Sequence, residues 1–166
     1  AMFSEDLSDY LDAFKKSMPA SMTTLNLYGS FEGKDISDYY RSPIELGWSK
    51  SVKFDHDFLG REALEKEAAN PKRIIRTLVW DSKDVTDVYA SLFNKGDHFD
   101  YIELPRYQRG GMYCDKVMKD DKLVGTTTSY GYSYYFREMI SLAVIDMEQA
   151  EIGNQVTIIW GAPGNP

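Results

Sequence analysis

The chain has one cysteine, Cys114, in 166 residues. A single thiol rules out an intramolecular disulfide and a cysteine-based zinc knuckle. Histidine is nearly as scarce. Only His56 and His98 are present, and neither stands in the His-x-x-x-His or His-x-x-Glu-His spacing that brings two imidazoles onto one helix face. No basic cluster exceeds two residues, as in Lys72-Arg73, and 19 basic against 26 acidic residues leave a formal net charge of -7. Binding a phosphate backbone takes clustered cations, so nucleic acid is excluded as a partner. No apolar run nears the ~18 residues of a membrane span, and no signal-peptide core opens the chain. Gly-x-Ser-x-Gly is absent, and Arg109-Gly110-Gly111 lacks the Lys-Ser/Thr ending of a phosphate loop. These absences describe a cytoplasmic protein of a reducing compartment, with no metal site, no membrane partner and no self-contained catalytic set.

What is present is ordinary for a globular chain: 43% apolar and 27% charged residues. The length suits one domain, or one domain plus a strap. Leu7, Tyr10, Leu11 and Phe14 recur at helical spacing, so Ser4 to Met18 is expected to form a helix stopped by Pro19. Strand composition follows over Thr23 to Tyr28, with a turn at Gly29 to Gly33. Ser42-Pro43 is expected to start a short helix that ends by Gly47, and Val52 to Phe54 to form a brief strand. Gly60 to Asn70 reads as a helix closed by Pro71. Asp55 and Asp57 are read as carboxylates capping it, rather than as metal ligands.

Beyond Pro71 the pattern turns to strands. Ile74 to Trp80 is β-branched and apolar. Asp81 or Ser82 caps a second helix with a buried stripe of Val85, Val88, Tyr89, Leu92 and Phe93, ending at Gly96. Lys116 to Met118 and Leu123 to Thr128 form a hairpin around Lys119-Asp120-Asp121-Lys122, and Met139 to Ile145 and Gln155 to Trp160 supply further strands. Short strands at this spacing predict an antiparallel barrel or sandwich. The fold expected is α+β: a helical strap followed by a small antiparallel β-barrel with an inserted helix. Residues 1–70 form the strap and boundary segment, and residues 71–166 the barrel domain. Ala1-Met2 reads as a cloning remnant, and the turn after Val156 to Trp160 as the approach to a further element, so both ends suggest a piece of something longer.

One run is unusual. Tyr130-Gly131-Tyr132-Ser133-Tyr134-Tyr135-Phe136-Arg137 sets five aromatic rings in seven residues, and Tyr39-Tyr40-Arg41 is a smaller version. A tyrosine offers a flat face to a planar ligand and a hydroxyl to hydrogen-bond it, and an arginine meets a carboxylate in a bidentate pair. The same rings also suit the covering of a barrel face. In an extended segment Tyr130, Tyr132 and Tyr134 share one side.

Several stretches resemble one family. Leu46-Gly47-Trp48, followed by Phe58-Leu59-Gly60-Arg61-Glu62-Ala63-Leu64, resembles a late segment of the glycine-cleavage T-protein (aminomethyltransferase) family. Leu123-Val124-Gly125-Thr126-Thr127-Thr128-Ser129-Tyr130-Gly131-Tyr132-Ser133, Ile140 to Ile145 and Ile152-Gly153-Asn154-Gln155-Val156 resemble later motifs in the right order. Tyr39-Tyr40, Phe54 to Phe58, Asn70-Pro71-Lys72-Arg73 and Thr77 to Trp80 look like the tetrahydrofolate-dependent aryl O-demethylases of the vanillate and syringate type. Tyr134 stands where the family has proline, and Tyr135-Phe136-Arg137 replaces its Leu-Gly-Lys.

The resemblance implies a T-protein C-terminal barrel and a parent enzyme that passes a one-carbon group to tetrahydrofolate. Its partners would be N-terminal folate-binding domains of the same parent chain and a small-molecule methyl donor. It further implies Trp48 and Tyr132 toward the cofactor and Arg137 and Tyr134 toward the substrate, with the catalytic residues upstream and this piece inactive alone. The other readings are an aminomethyltransferase of glycine cleavage and a stand-alone ligand-binding module built on the tyrosine cluster.

Overall fold

The computed structural model describes residues 27–106 and 112–162. The helix expected over Ser4 to Met18, most of the strand before Tyr28 and the Arg109-Gly110-Gly111 turn lie outside them. The framework is a five-stranded antiparallel sheet in the order β2-β6-β5-β4-β7. Its strands are β2 (Arg73–Val79), β4 (Lys116–Lys119), β5 (Lys122–Ser133), β6 (Glu138–Asp146) and β7 (Thr157–Ile159). A short parallel pair, β1 (Leu27–Tyr28) with β3 (Met112–Tyr113), lies outside it. Helices α1 (Arg61–Ala69) and α2 (Ser82–Ser91) flank β2 in sequence. This is the expected α+β barrel-type domain with its inserted helix.

Local chemistry explains most of these elements. Lys119 pairs with Lys122, so the β4-β5 hairpin closes on Asp120 and Asp121, both left-handed at φ 47° and 61°. That is the two-residue turn matching strand twist, and Asp tolerates the conformation better than most side chains. Gly125 sits where a Cβ would fall 2.4 Å from the Val144 carbonyl, so only glycine lets β6 come this close. Along β6, Met139, Ser141, Ala143 and Ile145 are all buried at period two. Ala143 and Ile145 pack with Val117, Val124 and Ala150 in one core cluster. Met139 joins Ile102 and Tyr130 in a second, which α2 covers with Val85, Val88 and Tyr89.

Four expectations need correcting. Val52 to Phe54 is not a strand: no neighbouring segment pairs with it, and an extended tripeptide without a ladder stays a loop. Residues 43–47 form a single turn rather than a helix. The turn does hold a capping pair, Ser42 N–H to Glu45 Oε2 at 2.9 Å and Glu45 N–H to Ser42 Oγ at 3.1 Å, and it stops at Gly47 with φ 77°. Phe93 is not buried; α2 ends at Ser91, the chain turns away, and the ring stands 88% exposed. Neither aspartate caps α1, whose N-cap is Gly60; Asp57 pairs with the Arg61 side chain at 3.2 Å, and Asp55 lies 2.9 Å from His56.

The two ends of the sheet differ in cover. Toward Asp146, Ile75, Val144 and Thr126 lie in register across β2, β6 and β5. Residues 30–48 lie over them: Arg41 Nη2 donates to Thr126 Oγ1 at 2.6 Å, and Ile75 N–H donates to the Glu45 carbonyl at 2.7 Å. Here Asp115 is buried with Ser30 and Thr127. Its Oδ1 accepts from Ser30 N–H at 3.1 Å, its own N–H donates to Thr127 Oγ1 at 2.8 Å, and Gly161 N–H also reaches it. Ser30 Oγ donates to the Ile159 carbonyl and accepts from Lys116 N–H at 2.9 Å. One polar knot thus ties β4, β5 and β7 to the turn after β1.

Candidate functional site

At the other end β5 and β6 run on past β4, whose pairing with β5 stops at Thr126. A bulge lies between Thr127 and Ser129, and beyond it the hairpin closes from Ser133 to Glu138. Four residues make the tip. Arg137 N–H donates to the Ser133 carbonyl at 2.7 Å, Phe136 N–H to Ser133 Oγ at 3.3 Å, and Arg137 takes the left-handed position at φ 58°. Tyr134, Tyr135 and Phe136 stand out from it at 73%, 89% and 64% exposure. Arg137 is exposed and makes no ion pair among the described residues.

Going inward from the tip, the tyrosines change character. Tyr134 meets Tyr132 edge-to-face at 5.2 Å, and Tyr135 meets Phe136 in the same way at 4.9 Å. Tyr132 is half-buried, and its N–H donates to the Pro105 carbonyl at 2.6 Å. Tyr130 is buried at 7% exposure against Trp80 and Tyr113, and burial pushes its phenol well above the usual range. Trp80 Nε1 donates to Ser141 Oγ at 2.7 Å. Tyr130 is therefore a structural ring, while Tyr132 and Tyr134 grade from core to surface. The expectation that one side of this run is aromatic holds through Tyr132, and Tyr134 extends it from the turn.

Tyr132, Tyr134 and Arg137 thus share the hairpin end. Trp48 does not join them. It is 61% exposed after Gly47, its N–H bonded to the Pro43 carbonyl at 2.8 Å, in the turn fastened to Ile75. Ile75 pairs with Val144 and Tyr132 with Met139, five residues apart along β6, or roughly 17 Å at strand spacing.

A concavity of about 250 Å³ lies at the covered end, lined by residues including Arg41, Arg73, Asp38, Thr126 and Asp146. Arg41 is partly engaged by its own chain: Nη1 donates to the Asp38 and Tyr40 carbonyls at 2.8 and 2.6 Å and Nη2 holds Thr126, while Nε is buried without a hydrogen-bond partner among the described residues. Burial, then the neighbouring Arg73, lowers its pKa from the usual arginine value. Arg73 is itself paired with Glu45 at 2.5 Å. Buried Cys114 adjoins this corner; burial pushes its thiol up, so it is a poor nucleophile. Among the described residues no three His, Cys, Asp or Glu side chains are grouped to hold a metal, and no helix is long and apolar enough to cross a membrane.

Sequence reasoning missed two features. The Asp115 knot has no pattern around it, since its partners come from positions 30, 127 and 161. The stretch through Tyr101, Leu104 and Pro105, which lies beside Tyr132, looks like an ordinary acidic loop; its alternating large apolar residues are the only signal.

A twisted antiparallel sheet with one inserted helix and one overlong hairpin defines a small α+β barrel-type domain that presents aromatic side chains at one end. Residues 108–162 match the C-terminal barrel domain of the glycine cleavage T-protein. The chain belongs to that family and carries its C-terminal region. It is 38% identical over 149 residues to the sesamin methylene transferase of Sinomonas sp., covering 84% of this chain and 33% of that protein. It is 38% identical over 135 residues to the syringate O-demethylase of Sphingobium sp., covering 81% of this chain and 29% of that protein. An aminomethyltransferase of Oceanobacillus iheyensis is 30% identical over 136 residues, with 81% of this chain and 29% of that protein covered. The chain therefore spans about a third of the length of the curated relatives it matches.

Proposed function

We propose that the chain is the C-terminal barrel region of a tetrahydrofolate-dependent one-carbon transferase of the aryl O-demethylase kind. The observation that carries this is the 38% identity to a syringate O-demethylase and to a sesamin methylene transferase, against 30% to an aminomethyltransferase over a similar share of the chain. The lower figure keeps aminomethyl transfer as the second reading. Residues 1–70 act as strap and boundary and 71–166 as the barrel, in a cytoplasmic protein whose upstream domains hold the folate.

The described residues do not by themselves enclose a folate. Ligand sites bury most of their ligand's surface within ~300–1,000 Å³. The hairpin end is an open face. The concavity beside Arg41 and Arg73 is smaller at about 250 Å³ and lies at the far end of the sheet, and the wider groove of about 830 Å³ is lined by α1 and the loop before it alone. No step is therefore assigned to the cofactor on this chain. Its own residues would contribute one wall. Tyr134 offers a ring for stacking, Tyr132 supports it from the half-buried position behind, and the exposed guanidinium of Arg137 receives a substrate carboxylate in a bidentate pair. Trp48 serves the cofactor side from the turn beside β2.

In the full-length parent, Arg137→Ala is expected to cost about tenfold or more in kcat/KM on a methoxybenzoate, as removal of a charge-assisted pair does, and little on the matched ether lacking the carboxylate. Equal losses on both would remove Arg137 from the substrate site. The isolated chain should form no 5-methyltetrahydrofolate from an aryl methyl ether, and its appearance would show that the upstream domains are dispensable.

A further inference from the structure

The hairpin tip is half of a larger apolar face. Tyr132 N–H is bonded to the Pro105 carbonyl, and a Cβ on Gly131 would lie 3.2 Å from the same oxygen, so the loop segment through Leu104 and Pro105 runs against the end of β5. Tyr101 stands at the start of that segment, its ring edge-on to Tyr89 at 6.2 Å, while Tyr89 Oη holds the Ile102 carbonyl at 2.5 Å. Tyr101 and Leu104 are 55% and 43% exposed. With Tyr134, Tyr135 and Phe136 they place five large apolar side chains on one end of the domain, supported from beneath by buried Ile102 and Tyr130.

The exposed apolar area of these five is on the order of 600 Å², taking aromatic side chains at 150–250 Å² each. That is the upper limit of what a monomeric protein leaves open without a use for it. We propose that this face is the seat of the upstream part of the same longer polypeptide, with Tyr101, Leu104, Tyr135 and Phe136 as the dry contact and Tyr134 at its margin toward the ligand cleft. The proposal rests on the reading of this chain as the last third of a transferase.

Two observations select this occupant over a second copy of the chain. The curated relatives at 38% identity carry about two thirds of their length outside the matched region, and the matched domain is described as the C-terminal one. The area also falls short of the ~800 Å² per partner that holds free proteins together, while it suits the ~600–1,500 Å² total of contacts between domains of one chain. A covalent link raises the effective concentration to the millimolar range, so a contact of this size suffices.

The test is hydroxyl-radical footprinting, read by mass spectrometry, on the 166-residue chain and on the native full-length protein. Ile152, 95% exposed after the far end of β6, serves as the internal reference. Tyr135, Phe136 and Leu104 should be oxidised at least fivefold more slowly in the full-length protein, with Ile152 unchanged. Equal oxidation in a longer native protein would overturn the proposal and leave the transferase reading standing. A native protein no longer than this chain would overturn both. Protection in the isolated chain that rises with its concentration would assign the face to a second copy and likewise overturn the proposal.

Discussion

One sheet serves two ends that are built in opposite ways. At the Asp115 end the cover is close and polar: a buried carboxylate, two hydroxyls and the Glu45–Arg73 pair lock four segments that are distant in sequence. At the hairpin end the cover is aromatic, graded from buried Tyr130 to Tyr135 at 89% exposure. Burying a carboxylate costs free energy that only complete hydrogen bonding offsets, so the first end tolerates few substitutions. Exposed rings make few contacts within the domain, so the second end is free to vary for function. Close polar packing and exposed aromatic surface are thus assigned to different ends of the same strands, the second being the recognition face proposed above.

Substitutions should break this contrast unequally. Gly125→Ala puts a methyl group against the Val144 carbonyl and the Ile145 Cα, both backbone atoms that cannot swing aside. A loss of about 3 kcal/mol or more is expected in urea unfolding, and a change under 1 kcal/mol would mean the strands do not approach so closely.

Next in size is a pH effect. Burial raises the Asp115 carboxyl from its ordinary 3.8 to about 6. Between those values the folded state keeps a proton that the unfolded chain has lost, so stability is present below pH ~4 and falls as pH rises through ~6, by up to roughly 3 kcal/mol. Asp146 is shifted in the same direction, chiefly by burial. Asp115→Asn should flatten the profile between pH 4 and 7 relative to wild type, whatever it does to absolute stability. Identical slopes would show that the carboxyl is not raised.

The hairpin end should respond weakly. Arg137→Gly relieves a left-handed backbone position and is expected to stabilise by about 0.5 kcal/mol, seen as a small rise in Tm. Tyr135→Ser with Phe136→Ser should move the isolated chain's stability by less than about 0.5 kcal/mol. A larger loss would mean that these rings pack within the domain.

How much of this was legible in the sequence follows from the range of each interaction. The β4-β5 hairpin, α1, α2 and the strand run before Trp80 depend on neighbours a few residues away, and their turn residues, caps and periodicity are written locally. Val52 to Phe54 had strand composition but no partner, and pairing is a property of the whole sheet. Phe93 fitted the helical stripe only while the helix was assumed to reach Gly96. The hairpin cluster was visible as composition. Its split into a structural Tyr130 and an exposed Tyr135 depends on where β4 stops beside β5, which no local pattern records. Trp48 and Tyr132 were grouped through a family likeness, and the strand register places them at different ends.

The bulge at Thr127 and Ser129 marks the boundary between the two ends, and it has a mechanical consequence. From Ser129 the strand extends unsupported by β4 to Ser133, about 14 Å at strand spacing, before the four-residue tip begins. The hairpin beyond the bulge is braced from both sides instead, β6 by β2 as far as Trp80 N–H to the Met139 carbonyl at 2.9 Å and β5 by Tyr132 N–H to the Pro105 carbonyl at 2.6 Å. Only the four-residue tip stands clear of these braces, so Tyr134 and Arg137 sit on a stem whose position is set by the sheet and by the Pro105 segment together.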